Sequence, residues 1–429
     1  MAEPRADHRN LLRYLQLASG IPLIEVGAES SRDTHLALLI AHADQETVLI
    51  YRNELLPISE TFIKEQILAL TEWRAVLVGC RKLKQLALED LDVRIVEPQN
   101  RSLQSRLLWK ANKLFGTVPP YIKRALQVEQ PSLIHAHFGP DALDAWPIAK
   151  ALSIPMLVTL HGYDINTYRE WWEAGSGGSK MQSYPRRLLE LSAQPRVRFI
   201  AVSDAIRGRA IEYGIPAEKV AVHYIGIDVN TYTPGPIPIT QRPPNVVFVG
   251  RLVEKKGCQY LIEAMASVQK AIPTARLIVV GDGPLRPHLE RLAQTLGTHV
   301  EFRGAQAADY VKRELHAARL LSLPSVTAEN GDAEGFGLVL LEAQASGVPV
   351  VTSARGGAAE GVLDGVTGHA FPERDVRALA ARLTSLLKED NVLQRMAEQG
   401  PIFVSEEFNL SYRARLLEEL YDAHAVSPQ

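Results

Sequence analysis

Cysteine is nearly absent. Cys80 and Cys258 are the only two in 429 residues, they lie far apart, and they make neither a metal-ligand spacing nor a disulfide framework. A reducing compartment therefore fits. No apolar stretch approaches the roughly 20 residues that a membrane-spanning helix needs. The charged, polar opening MAEPRADHRN does not read as a secretory leader, and none is expected. The formal net charge is only −2, which argues against a nucleic-acid partner engaged by the whole protein. No phosphate loop ending in Gly-Lys-Ser/Thr occurs, and GDGPLRP (281–287) has Arg286 where the dinucleotide fingerprint needs its third glycine. A P-loop NTPase and a standard dinucleotide oxidoreductase are thereby disfavoured.

What is present is globular. Hydrophobic residues make up 46% and charged residues 22%, enough for a large core. The length favours two or three domains. Strand-then-helix units recur from about residue 47 onward and imply parallel sheets with helices on both faces. In the first half, strands are predicted at 47–51, 74–80, 93–96, 132–137, 155–160, 197–202 and 219–224. Ser59-Glu60-Thr61 is predicted to cap a helix, and Ser203 another. A proline-dense stretch, Pro234, Pro236, Pro238, Pro243 and Pro244, reads as an interdomain linker. Beyond it, strands are predicted at 245–249, 276–280, 299–302, 320–323, 348–352 and 369–371. The chain thus divides into 1–235 and 243–405, with a last helix, about 408–425, returning to the first domain.

The most informative stretch is EGFGLVLLEAQASGVP (334–349). It predicts a loop, a helix over 338–345 with two-sided apolar character, and a stop at Gly347 and Pro349. A helix that begins on small residues offers N–H groups and a positive dipole end to an anion. Gly337 and Glu342 stand about 7.5 Å apart along a helix axis, comparable to the reach from a diphosphate to ribose hydroxyls. The bland alternative is a buried helix with one acid at its dipole and one solvated Glu. Arg251 and Lys256 in GRLVEKKG (250–257) follow a strand and would converge on the same crevice. Each cation near 4 Å contributes about 4 kcal/mol at an effective dielectric of about 20, before desolvation. An exposed basic turn is the alternative.

Asp90 and Asp92 have metal-pair spacing but read better as a solvated face. His135, His137 and His161 sit at strand ends, with substrate-hydroxyl contact preferred over core or capping roles; no third metal ligand accompanies the first two. Residues 99–128 carry Arg101, Arg106, Lys110, Lys113, Lys123 and Arg124 without an acid, interleaved with Trp109, Phe115 and Tyr121. They suit anionic lipid headgroups, or equally a core helix with a basic outer face.

Taken together, GRLVEKKG, GDGP (281–284), Pro324-Ser325, 334–351 and GGAAEGVLDGVTG (356–368), with HAHFG (135–139), HGYD (161–164), VSD (202–204) and GID (226–228), resemble the retaining nucleotide-sugar glycosyltransferases of family 4, which have the GT-B fold. The resemblance covers the chain from about residue 46. It implies two Rossmann-like doubly wound domains facing a cleft, and transfer of a hexose-type sugar with retained anomeric configuration. It implies that Glu342 holds the ribose and that Glu334 contacts the donor sugar. Arg251 and Lys256 would bind the diphosphate, helped by Gly335, Phe336 and the N–H groups of Gly337, Leu338 and Val339. The base would lie near Arg303, and His161 would contact the sugar from the opposite domain. Glu60, His135, His137 and Asp164 are the acceptor-side candidates. No cofactor or metal is implied. The donor would be a UDP- or GDP-sugar, and the acceptor a glycan or polyprenyl-diphosphate-linked glycan.

SETFI (59–63), with HAHFG (135–139) and PSVTAENGDAEG (324–335), resembles members that build bacterial exopolysaccharides. The stretch 53–59 stands where many relatives have a Gly-rich loop. A cytoplasmic enzyme is implied, peripheral on the inner face of the membrane if 99–128 touches lipid. The alternatives are a GT-B nucleotide-sugar epimerase or hydrolase, and a non-catalytic nucleotide-sugar-binding protein.

Overall fold

The computed structural model describes residues 45–57, 60–80, 86–96 and 116–425. Ser59 and the expected lipid-facing residues Trp109, Lys110 and Lys113 lie outside these. Within the basic segment, the helix Pro120–Gln127 is described; it buries Ile122 and Leu126 and exposes Tyr121. Among the described residues, no helix is long and apolar enough to cross a membrane.

Two parallel sheets form. The first has β1 (Glu46–Tyr51), β2 (Trp73–Gly79), β3 (Val93–Ile95), β4 (Pro131–His137), β5 (Met156–Leu160), β6 (Val197–Ala201) and β7 (Val220–Val222). Its seven strands run in the order β3-β2-β1-β4-β5-β6-β7. The second has β8 (Asn245–Val249), β9 (Arg276–Val280), β10 (Val300–Gly304), β11 (Leu320–Leu323), β12 (Val350–Ser353) and β13 (Gly368–Phe371). Its six strands run β10-β9-β8-β11-β12-β13. Strand order reverses between β1 and β4, and again between β8 and β11. Such switch points open a crevice at the C-terminal strand ends, where ligands bind. The two crevices face each other.

The helix Leu338–Ala345 explains its own two-sided apolar pattern. Leu340 and Ala343 pack into the core of the second sheet, while Leu341, Ala345 and the preceding Phe336 pack into that of the first. One short helix is wedged between both domains. Gly337 at φ +87° enters it and Gly347 at φ +69° ends it, both left-handed conformations that glycine adopts without strain.

The chain returns to the first domain through the helix Leu410–His424. Leu417 and Tyr421 join Val48, Ile50, Leu77 and Leu157 in a buried cluster. The buried Glu418 accepts backbone N–H bonds from Thr71 (2.7 Å), Glu72 (2.7 Å) and Trp73 (3.1 Å).

Two local expectations are corrected. Asp92 is no solvated acid: it bridges Arg74 and Arg94, which also hold Glu129, so four alternating charges satisfy one another at the sheet edge. Glu60 does not cap the helix Thr61–Leu68, because its carboxylate turns instead to Arg52.

Candidate active site

A cavity of about 1290 Å³ lies between the domains. Most of its lining comes from the loops after β1, β4, β5, β8 and β11, those that leave the two switch points and their neighbour; Val202 after β6 and Ile225 after β7 add to it.

The second-domain wall carries the expected charges. Lys256 Nζ sits 2.5 Å from Glu334 Oε2. Burial opposes ionisation of Glu334, but Lys256 and Lys255 outweigh it and hold the carboxyl below its ordinary range. Glu342 also lines the cavity. Burial, reinforced by Glu65 of the first domain, pushes its carboxyl up to about 7, against the opposing pull of the Tyr232 hydroxyl and Lys256. Arg251 is exposed at the cavity wall, with no ion pair among the described residues. Phe336, Gly337, Leu338 and Val339 complete this wall at the start of the helix. Lys256, Glu334, Glu342, Arg251 and the helix entrance are therefore brought together.

Two donor-side residues are placed elsewhere. Arg303 lies within the edge strand β10, does not line the cavity, and pairs with Glu301 at 2.5 Å. Gly335 is a domain contact. A Cβ on it would stand 1.9 Å from the His161 carbonyl oxygen, and its own carbonyl accepts the Ser203 hydroxyl at 2.8 Å. Nothing larger than glycine fits between the two domains there.

The first-domain wall is built on Arg52, directly after β1. Its guanidinium grips Glu60 through two bonds (2.6 and 2.8 Å), also pairs with Asp141, and lies 4.5 Å from the Phe138 ring centroid. Asp141 accepts the Asn53 N–H at 2.7 Å; burial pushes its carboxyl up to about 6 although Arg52 pulls the other way. His161 faces the cavity between Phe138 (4.4 Å) and Phe62 (5.2 Å).

Three acceptor-side expectations are corrected. His135 is a core residue, held by the hydroxyls of Tyr421 (2.7 Å) and Thr159 (2.6 Å), and burial pushes it down to about 3. His137 is buried behind His161 and does not line the cavity. Asp164 is buried as a loop anchor, accepting N–H bonds from Gly139, His161 and Gly162 at 2.9, 3.1 and 2.9 Å.

Several functional-looking residues escaped sequence reasoning. Lys255 pairs with Asp332 at 3.0 Å and pins the loop 324–334 to the second domain. The same loop reaches the first domain, where its Asn330 carbonyl accepts the Tyr168 N–H at 2.9 Å. Glu360, in the GGAAEG motif, caps the helix Asp204–Tyr213 of the other domain, accepting N–H bonds from Asp204 and Ala205, each at 2.8 Å. An acid three residues into a glycine-led turn was the available signal. Among the described residues, no group of three or more His, Cys, Asp or Glu could hold a metal ion.

Known proteins resemble this chain in sequence and fold. The family "Glycosyltransferase Family 4" matches residues 60–231, and "Glycosyl transferases group 1" matches 234–402. The putative colanic acid biosynthesis glycosyltransferase WcaL of Escherichia coli is 32% identical over 297 residues, 67% of this chain and 70% of the relative. The chain is a family 4 glycosyltransferase. This glycosyltransferase is also 31% identical to the amylovoran biosynthesis glycosyltransferase AmsK of Erwinia amylovora, over 67% of this chain and 70% of that one. Among solved structures, Anabaena Alr3699/HepE in complex with UDP and glucose aligns at a TM-score of 0.71 and 22% identity, covering 88% of this chain and 100% of that one. The fold is GT-B.

Proposed function

We propose that the enzyme moves a hexose-type sugar from a UDP- or GDP-sugar to a glycan or lipid-linked acceptor in exopolysaccharide synthesis, with retention and without a metal. The observation that carries this is the convergence of Lys256, Arg251, Glu334, Glu342 and the helix entrance on one cavity wall. WcaL and AmsK, named for colanic acid and amylovoran, support the polysaccharide assignment, and the HepE complex with UDP and glucose supports the donor class.

In this assignment the diphosphate lies between Arg251, Lys256 and the start of the helix Leu338–Ala345. The ribose reaches Glu342, and the sugar lies by Glu334 and His161. The base extends toward β10 and is read by backbone. Bond breaking at the anomeric carbon puts charge on the diphosphate, where fixed cations and N–H dipoles already stand; such preorganisation costs no rearrangement during reaction. Arg52, Glu60 and Asp141 form the acceptor wall. Domain closure about the proline-dense linker completes the site.

The test is product analysis with UDP- and GDP-sugars, with and without a glycan acceptor, in the presence of a chelator. Acceptor-dependent glycoside formation that survives chelation supports the assignment. Free sugar released at the same rate without acceptor would instead make the protein a hydrolase or epimerase, and no turnover with tight nucleotide binding would make it a binding protein.

Peripheral membrane contact through 99–128 is part of the proposal. Flotation with anionic liposomes tests it, and binding unchanged by removal of Trp109, Lys110 and Lys113 would contradict it.

A further inference from the structure

Three histidines stand in file, running inward from the cavity wall at His161. The innermost, His135, is fixed by the hydroxyls of Tyr421 and Thr159. Its ring stacks on His137 with centroids 4.5 Å apart, and His137 stacks on His161 at 5.3 Å. A hydrogen bond joins His137 Nδ1 to His161 Nε2 at 3.0 Å. The other ring nitrogen of His137, Nε2, is buried and has no hydrogen-bond partner among the described residues. Burial holds both rings well below their ordinary pKa, so each is neutral and carries a single N–H.

The orphaned nitrogen tells where that proton sits. A buried N–H without an acceptor is rarer in folded proteins than an under-used acceptor. A proton on Nε2 of His137 would bury such a donor. A proton on Nδ1 leaves only an unused lone pair, and that N–H then donates to Nε2 of His161. A neutral His161 that accepts at Nε2 must hold its own proton on Nδ1. That nitrogen is not the one bonded to His137, and it belongs to a ring that lines the cavity.

We propose that His137 is a positioning residue that fixes His161 in its Nδ1–H tautomer, so that His161 offers the substrate a hydrogen-bond donor and no acceptor. Phe62 and Phe138 flank the His161 ring, and Phe138 reaches it from a backbone φ of +71°, unusual for a side chain of this size. A donor at this point selects an oxygen lone pair, such as that of a sugar hydroxyl. It also means that Nδ1 cannot take a proton from an incoming acceptor. The effect on transfer rests on the function proposed above; the tautomer does not.

The experiment is ¹⁵N-histidine NMR on the full chain, with the His161 signals assigned by loss in His161→Gln. The expected spectrum has a pyrrole-like Nδ1 and a pyridine-like Nε2 at His161, unchanged between about pH 6 and 8. The reverse pattern, or rapid exchange between the two, would overturn the proposal. Kinetics give a second readout. His137→Leu should lower kcat about 10-fold or more with little change in donor KM, as expected when a working histidine loses the group that fixes its tautomer. His137→Asn, whose side-chain amide reaches the Nδ1 position, should recover most of the loss. A folded His137→Leu enzyme within about twofold of wild type would overturn the positioning role. Should the leucine variant not fold, the spectrum of the wild-type protein decides. Normal transfer by His161→Ala alongside the expected spectrum would overturn the placement of substrate at His161, and with it the function of His137, but not the tautomer.

Discussion

Lys256 and Glu334 are 78 positions apart, yet the lysine Nζ and the glutamate Oε2 meet at 2.5 Å in the cavity wall. The pair holds Glu334 ionised despite burial, and it places a positive charge where a diphosphate would arrive. Removing the lysine takes away both the charge and the carboxylate's partner. Lys256→Ala should lower kcat/KM about 10²-fold or more, the scale seen when one fixed stabilising group is lost. Steady-state transfer assays check this, with circular dichroism to show that the variant folds. Glu334→Ala should be as damaging, and near-normal turnover in either contradicts the site assignment.

Glu342 gives the site a pH dependence. Its carboxyl is raised to about 7, by burial first and Glu65 second. The folded protein therefore binds a proton that the unfolded chain releases at ordinary carboxylate pH. That stabilisation is fully present below the unfolded pKa and is lost as pH rises through about 7. In the proposed function ribose hydroxyls donate to the ionised form, so nucleotide binding should tighten over the same rise and release a proton below it. Calorimetry in buffers of different ionisation heat measures that release. It should disappear in Glu342→Gln.

Gly335 tests the domain contact. Any side chain there meets the His161 carbonyl, and the Cβ would lie 1.9 Å from that oxygen. Gly335→Ala should leave each domain folded but hold them apart. Transfer should fall about 10²-fold, because misplacement of about 1 Å already costs that much. Small-angle scattering should show a more open particle than wild type.

Glu418 tests the return of the chain. Its carboxylate satisfies three backbone N–H groups at the start of β2. Glu418→Ala buries those donors unpaired and should cost about 3 kcal/mol. The check is denaturant unfolding, with the loss expected in the transition that reports the first domain.

The helix Leu338–Ala345 was legible to the residue because glycine punctuates it at both ends and the residues between them are helix formers. Strands Asn245–Val249, Arg276–Val280 and Leu320–Leu323 were equally clear, as short apolar runs closed by glycine or proline. The histidines were not. His135 and His137 alternate along one strand and so point to one side of the sheet. That side is covered by Tyr421, 286 positions further on, and nothing local announces that a last helix will pack there. The Arg52–Asp141 and Lys255–Asp332 pairs were hidden for the same reason: each links loops that only the fold brings together. Arg303 was placed by resemblance, but an edge strand carries it away from the cavity.

The most direct test is a crystal structure of the protein with UDP or GDP, whichever raises the melting temperature more. The account predicts the diphosphate against Arg251, Lys256 and the N-terminus of the helix Leu338–Ala345, with the ribose hydroxyls on Glu342. A nucleotide bound outside this cavity, or one that leaves Lys256 and Arg251 without contact to phosphate, would contradict it.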